Sequence, residues 1–176
     1  NSTSYTKDLV ITYNPGMKEI SAEITDGEIF AQSLTADEVE LDSISGNIDI
    51  ETIKAKQVDI ESTSGNIEID NIVATSFEID NVSGTTNLLD IHTKTFEAEF
   101  VSGNSDVKFS SIDNAAFDSV SGDIDLTLPS DGGSVKIHKT SGKVTTLREC
   151  TFSNNTYVFG TGSALIDVEI TSGNII

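Results

Sequence analysis

Cysteine, tryptophan and aromatic residues are scarce or missing in this chain, and each shortage narrows what the protein can be. Cys150 is the single cysteine among 176 residues, so no disulfide can form within the chain. We predict that Cys150 is a small buried hydrophobic residue rather than a reactive or metal-bound thiol. Tryptophan is absent and aromatic residues make up 6% of the chain, which leaves few rings for stacking on sugars.

Basic residues are few as well, since 10 Lys and Arg stand against 29 Asp and Glu, for a formal net charge of −19. Binding to phosphate needs clustered Lys and Arg, so this charge argues against nucleic acid and anionic lipid as partners. No apolar run is long enough to cross a membrane, and we expect this segment not to be inserted in one. Whether a signal peptide, an anchor or another domain precedes Asn1 stays open.

What the chain does have is a repeat. The segment 45–50, Ser-Gly-Asn-Ile-Asp-Ile, returns at 64–69 and, with small changes, at 121–126. A tight corner in a chain is least costly at Gly, which accepts a positive φ, so we predict structural corners rather than a ligand-binding loop. The predicted corner glycines are spaced by 19 residues up to position 122 and less evenly afterwards: Gly27, Gly46, Gly65, Gly84, Gly103, Gly122, Gly142, Gly162 and Gly173.

Apolar residues alternate with polar ones twice in each repeat, which is the period of a strand and not of a helix. The buried positions are typified by Ile48, Ile50, Val58 and Ile60, and their copies recur 19 residues later. Short strands stacked turn upon turn predict an all-β fold, a right-handed parallel β-solenoid of about eight coils with a 19–20-residue repeat.

The first 25 residues match the repeat poorly. Residues 9–13 have the composition of a strand, 14–16 that of a turn, and Ile20, Ala22 and Ile24 alternate as a second strand. Terminal units of stacked repeats often differ from the rest because they cover an open end. We therefore assign 1–25 to N-terminal strands or a cap and 26–176 to the solenoid, within one structural domain.

Acidic residues recur at the same outward positions of successive repeats. Two such columns are expected on one face: Asp42, Glu61, Asp80, Glu99 and Asp118, and beside them Glu40, Asp59, Glu78 and Glu97. A third is expected on another face: Asp49, Glu68, Asp106 and Asp125. Like charges ~4.8 Å apart repel by about 0.9 kcal/mol in water, which salt screens. A solvated face that resists aggregation is the first interpretation. Weak, distributed binding of Ca²⁺ or Mg²⁺ and a basic protein partner are the alternatives.

Catalytic chemistry has little support in the sequence, and we predict no enzyme, no catalytic residue and no cofactor, with Ca²⁺ as the one alternative ion. His92 and His138 have no spacing that suggests a zinc site or a nucleophile and its base. Arg148 is the only arginine. The repeat weakens after Gly122, where segments 128–133 and 151–156 interrupt it, so a binding site is expected in this C-terminal third or on a side face.

Several motifs together resemble a known bacterial domain family, DUF4097, whose members are labelled as adhesins. They are the repeated Ser-Gly-[Asn/Asp]-Ile-[Asp/Glu]-[Ile/Leu], the segment Leu126-Thr127-Leu128-Pro129, and the final 160–162 and 171–175, Gly-Thr-Gly and Thr-Ser-Gly-Asn-Ile. The likeness covers residue 26 to the end. It implies a right-handed β-solenoid in surface or envelope-associated proteins, some linked to envelope stress, and it supplies no catalytic residues.

The expected function is therefore that of a non-enzymatic module of the bacterial cell surface or envelope, an adhesin or interaction scaffold whose ligand is a surface protein or a polysaccharide. One alternative is a carbohydrate-active or carbohydrate-binding β-helix protein, because carboxylates are abundant. Another is a scaffold that responds to cations through its acidic columns. Open ends of a solenoid are unpaired edges, which also allows end-to-end self-association.

Overall fold

The computed structural model describes residues 9–10 and 17–176, and within them every regular element is a strand. The predicted strand at 11–13 and the turn at 14–16 lie outside the described residues. The strands are β1 (Leu9–Val10), β2 (Met17–Ala31), β3 (Leu34–Lys54), β4 (Gln57–Ser62), β5 (Ile67–Val73), β6 (Ser76–Ser83), β7 (Thr86–His92), β8 (Thr95–Ser102), β9 (Ser105–Ser111), β10 (Asn114–Ser121), β11 (Ile124–Thr127), β12 (Gly132–Ser141), β13 (Thr151–Ser153), β14 (Thr156–Gly160) and β15 (Ala164–Ser172).

Parallel pairing between successive turns confirms the β-solenoid. The strands alternate between two stacks, which we call sheet one (the second half of β3, then β5, β7, β9 and β11) and sheet two (the first half of β3, then β4, β6, β8 and β10). Partners are 19 residues apart, as in Ile48 with Ile67 and Val39 with Val58. The long strands β2 and β3 pass through a corner and belong to both sheets.

The same register already holds at the beginning of β2, where Met17 pairs with Ala36 and Ile20 with Val39. Residues 17–25 are therefore paired in the same way as the repeats that follow. The boundary drawn between residues 25 and 26 falls inside β2. The sequence match was weak there because this turn lacks the Ser-Gly-Asn segment, although its apolar alternation is regular.

The core lies between the two sheets and is filled by the alternating apolar side chains. Ile48, Ile50, Val58 and Ile60 are buried, as predicted, and so are their copies in the next turns. Three phenylalanines from the two sheets pack around Phe96, whose ring centre is 5.2 Å from those of Phe77, Phe109 and Phe117. This aromatic cluster fills the part of the core where Ala98 and Ala115 are small.

The corner column shows why Gly recurs. Gly84 and Gly103 have φ values of 133° and 135°, and a Cβ atom on Gly103 would lie 1.9 Å from the carbonyl oxygen of Gly84. The neighbouring Asn joins the turns, because the side-chain oxygen of Asn66 accepts a hydrogen bond from the Thr85 amide at 3.0 Å.

The regular winding ends after six turns rather than eight, because the C-terminal strand is out of sequence order. β15 lies between β10 and β12, pairing in parallel with both. The alternation in β15 buries Ile166, Val168 and Ile170, whereas β12 buries only Val135 and Ile137 among its large side chains. The more apolar strand occupies the inner place, and the strand that carries Lys136 and Lys139 lies outside it.

The corner column follows this order, so Gly173 stacks between Gly122 and Gly142. Gly162 lies outside the column, next to the carbonyl of Gly132. Beyond β12 the hairpin β13–β14 pairs in antiparallel fashion, through a turn at Asn154 and Asn155 with φ values of 50° and 60°. Positive φ at both central residues is typical of the two-residue hairpin turn.

Candidate functional site

The first acidic column runs without a break along sheet two and is longer than the sequence predicted. The register aligns these residues turn by turn: Glu23, Asp42, Glu61, Asp80, Glu99, Asp118 and Glu169. Glu169 was missed because spacing by 19 does not place β15 beside β10. Aligning the Ser-Gly pair at 172–173 with that at 121–122 would have found it.

The second acidic column lies two residues away on the same outer face, and Glu40, Asp59, Glu78 and Glu97 stack in it as predicted. Both columns reach basic groups at their C-terminal end. Lys136 Nζ lies 3.3 Å from the carboxylate of Asp167, and His138 pairs in register with Glu169. We call the two columns together the acidic face.

Crowding on the acidic face changes the chemistry of its carboxyl groups. Partial burial, followed by repulsion from Glu99, Glu78, Glu61 and Asp59, raises the pKa of Asp80 to about 6. Burial first and neighbouring carboxylates second also raise the pKa of Asp42, Asp59 and Glu78. The middle of the face therefore holds protons more tightly than isolated carboxylates do.

An exposed aliphatic column runs beside the acidic face, two residues farther along each turn. Its members are Ile44, Val82, Val101 and Val120, between 44% and 53% exposed, with Thr63 as the one polar interruption. Side chains at alternate positions of a strand share a face, so this column and the acidic columns point to the same side of sheet two. The aliphatic column has no counterpart among the residues predicted as functional.

The third acidic column lies on sheet one, where Asp49, Glu68, Asp106 and Asp125 are in register, with Asn87 between Glu68 and Asp106. It differs from the acidic face because its cation lies among the regular turns and not at the C-terminal end. Lys108 Nζ donates to Asp106 at 2.8 Å. The two outer faces of the solenoid are therefore chemically distinct.

The histidines are separated by the fold. His92 ends β7 on sheet one, with its Nε2 3.2 Å from a carboxylate oxygen of Asp90, whereas His138 is in β12. Within residues 17–176 no group of three His, Cys, Asp or Glu side chains has the arrangement of a metal site. Cys150 is half-buried, rather than buried as the sequence suggested.

The irregular C-terminal end contains an apolar pocket of about 250 Å³. Its walls come from β11, from the segment 144–148 and from Tyr157 and Phe159 of β14. Arg148 closes one side, donating hydrogen bonds to the carbonyl oxygens of Pro129 at 3.3 Å and Ser130 at 3.2 Å. The pocket begins where Ile175 bridges Ile124 and Val144, in the part of the chain where the repeat fails.

Large apolar side chains surround this pocket. Leu147 is 82% exposed and Phe152 is 58% exposed. The ring of Phe152 lies 4.5 Å from that of Tyr157, across the β13–β14 hairpin. A second, polar hollow of about 460 Å³ lies between Glu99, Asp118, His138 and Lys139, at the C-terminal end of the acidic face.

Residues 9–10 and 17–176 contain no helix that is long and apolar enough to cross a bilayer. The family model described as Toastrack DUF4097 matches residues 3–176, which extends the likeness seen from residue 26 onward to nearly the whole chain. No curated protein and no solved structure matches this chain.

Proposed function

Because this chain belongs to the Toastrack DUF4097 family, we propose that it is a non-enzymatic interaction module of the bacterial cell surface or envelope. The observation that carries the proposal is the exposed apolar surface at the irregular C-terminal end. Large apolar side chains concentrated on one exposed region mark binding surfaces more often than chance positions do. Aromatic rings at such places contribute much of the contact energy in known interfaces.

The C-terminal surface consists of the pocket together with Leu147, Phe152 and Tyr157. Leu147 and Tyr157 line the pocket, and Phe152 extends the apolar area by packing on Tyr157. Arg148 is held by two backbone carbonyls, so the wall it forms is fixed. A preformed apolar surface with few polar groups suits ligand binding, because little side-chain entropy is lost when the ligand arrives.

The positions of the carboxyl groups favour a binding function over catalysis. Hydrolysis of a glycosidic bond calls for a carboxylic acid of raised pKa beside the substrate. Among its lining residues the pocket that contains Arg148 and Tyr157 has one carboxylate side chain, Asp125, whereas such hydrolysis uses a pair of carboxyl groups. A carbohydrate-binding role is the second candidate, favoured by the stacked rings of Phe152 and Tyr157, which could receive the face of a sugar.

Sedimentation of the purified domain with bacterial cell-envelope fragments tests the proposal. We expect saturable binding that the double variant Leu147→Ser/Phe152→Ser loses. The matched control, Val73→Ser/Leu89→Ser, removes two exposed apolar side chains from regular turns and should bind as the unmodified domain does. Fragments stripped of protein by protease separate the two candidates, since only a carbohydrate ligand survives that treatment.

Two results would overturn the proposal. One is binding that does not saturate, or that both double variants lose equally. The other is release of reducing ends from envelope polysaccharide by the purified domain, which would show an enzyme.

A further inference from the structure

The aliphatic column is an unpartnered part of sheet two and differs in chemistry from the C-terminal surface, since carboxylates and not aromatic rings lie beside it. Ile44, Val82, Val101 and Val120 stand in successive or near-successive turns, each about half exposed. Other exposed apolar side chains of the regular turns, such as Val73 and Leu89, do not repeat from turn to turn in this way. Four exposed apolar side chains in one column, interrupted once by Thr63, mark a surface that a partner can cover.

The charge beside this column determines the kind of partner. The first acidic column contributes a carboxylate in every turn from Glu23 to Glu169, and the second lies next to it. Lys56 and Lys94 lie in the bends three residues before the second acidic column, where Lys56 Nζ pairs with Asp37 at 2.8 Å. Lys136 and Lys139 lie at the C-terminal end of the face, beside His138. From β3 to β10 the acidic face therefore complements Lys and Arg, and it repels nucleic acid and anionic lipid.

The dimensions of the face determine the partner's conformation. Neighbouring outward-facing side chains of a strand are two residues apart, and each residue advances ~3.3 Å along the strand. The two acidic columns and the aliphatic column together are therefore ~13 Å wide. An α-helix with its side chains is about 10–12 Å in diameter and rises about 5.4 Å per turn, close to the ~4.8 Å step between solenoid turns. An extended strand laid along the columns would place side chains on one side every ~6.6 Å. Within two residues these side chains would no longer match the ~4.8 Å spacing of the solenoid turns.

We propose that the acidic face and the aliphatic column together bind a basic amphipathic helix of a partner protein. Its aliphatic side chains pack on Ile44, Val82, Val101 and Val120, and its Lys and Arg lie over the two acidic columns. The aliphatic column spans four steps, or ~19 Å, which corresponds to about 13 helical residues. This site is separate from the C-terminal surface, and either site can exist without the other.

The probe is a synthetic 16-residue peptide of lysine and leucine at helical spacing, with a scrambled peptide of the same composition as control. Fluorescence anisotropy at ~150 mM salt keeps non-specific attraction screened. We expect the helical peptide to bind at least about tenfold more tightly than the scrambled one. The difference arises because only the helical peptide can align its leucines with the aliphatic column. Circular dichroism should show that the bound peptide is helical.

Three variants of the domain locate the site. Val82→Ser/Val101→Ser/Val120→Ser should weaken binding by at least about tenfold, and Glu61→Gln/Asp80→Asn/Glu99→Gln by more. The matched control Asp49→Asn/Glu68→Gln/Asp70→Asn removes the same charge from sheet one, and we expect less than about a threefold change. All nine positions are on the outer surface, so each variant should keep the thermal transition of a folded domain.

Equal losses in the two charge variants would show a general attraction of the −19 chain and overturn the proposal. Full binding by the serine variant, or no preference for the helical peptide, would do the same. These assays use the purified domain and a peptide, so their failure leaves binding to envelope fragments through Leu147 and Phe152 unaffected.

Discussion

At the scale of single residues, the corners of the solenoid leave no room for a side chain. Gly103 lies directly over Gly84, and its φ of 135° is one that L-residues other than Gly rarely adopt. Two costs therefore coincide there, a strained backbone and a collision with the carbonyl oxygen of Gly84. Neither can be relieved without separating two turns.

Gly103→Ala should lower the free energy of unfolding by at least about 2 kcal/mol, because the strain and the collision add. Chemical denaturation followed by circular dichroism measures it. Ser102→Ala, one residue earlier at the same exposed corner, is the control and should change stability little. A Gly103→Ala protein as stable as the unmodified one would mean that the turns can move apart freely.

Asp80 makes stability depend on pH. Its pKa is about 6 in the folded protein and 3.8 ordinarily, so the folded state binds the proton more tightly than the unfolded chain. The unfavourable contribution of this group is absent below pH 3.8, grows between 3.8 and about 6, and is complete above that value. We expect the free energy of unfolding to fall as pH rises through this window. Asp80→Asn should be more stable than the unmodified protein at pH 7 and equal to it near pH 4.

Val82→Ser, at an exposed position of the same strand β6, is the control for this titration, because it removes no carboxyl group and should leave the shape of the pH profile unchanged. A profile of the Asp80 variant parallel to that of the unmodified protein would assign the pH dependence to other groups.

At the scale of elements, the aromatic cluster joins the two sheets. Phe96 touches Phe77 and Phe117 in sheet two and Phe109 in sheet one. Its side chain is almost fully buried. Phe96→Ala should therefore cost about 3–5 kcal/mol, from lost burial and from the cavity that remains. Urea unfolding measures the free energy of unfolding of Phe96→Ala and of the control Phe152→Ala, in which the lost ring is an exposed one. The two variants should differ in this free energy by most of that amount. Similar losses at both sites would mean that the cluster does not connect the sheets.

The sequence was sufficient to predict the strands of the regular turns, because apolar alternation and the 19-residue glycine spacing describe the same corners and the same core. Ile48, Ile50, Val58 and Ile60 are buried where the pattern places them. The acidic columns followed from the same spacing. Where every turn is a copy of the last, local pattern and global fold agree.

The position of β15 could not be predicted from spacing. Sequence order places β12 on β10, whereas the buried side chains, Ile166, Val168 and Ile170 against Val135 and Ile137, favour β15 at the inner place. The aliphatic column can be seen in the sequence as a repeat, but the sequence does not show that its side chains are exposed. A Val at the end of a strand can face either the core or the solvent. The apolar pocket required the three-dimensional arrangement of β11, β14 and segment 144–148.

At the scale of the whole molecule, charge acts against compactness. The formal net charge is −19, and the acidic face concentrates part of it in two parallel columns. Monovalent salt weakens this repulsion by screening, whereas a divalent cation can also be bound between carboxylates of neighbouring turns. The two effects differ in kind and can be separated.

We expect the melting temperature to rise more with millimolar CaCl₂ than with NaCl at the same ionic strength, because oxygen-rich columns favour Ca²⁺. Differential scanning fluorimetry measures it. The variant Glu61→Gln/Asp80→Asn/Glu99→Gln should lose the difference between the two salts. Equal shifts for both salts in the unmodified protein would leave screening as the whole effect.

The place of β15 between β10 and β12 also sets an order in time. During synthesis each regular turn can stack on the one before it as soon as it leaves the ribosome, because its partner lies 19 residues upstream. β12 has no such freedom, since its parallel neighbour is translated after it. β12 can pair with β14 as soon as that strand is made, but it must wait for its parallel partner until 164–172 have emerged. The solenoid grows from its N-terminal turns, but its far end closes in one late step.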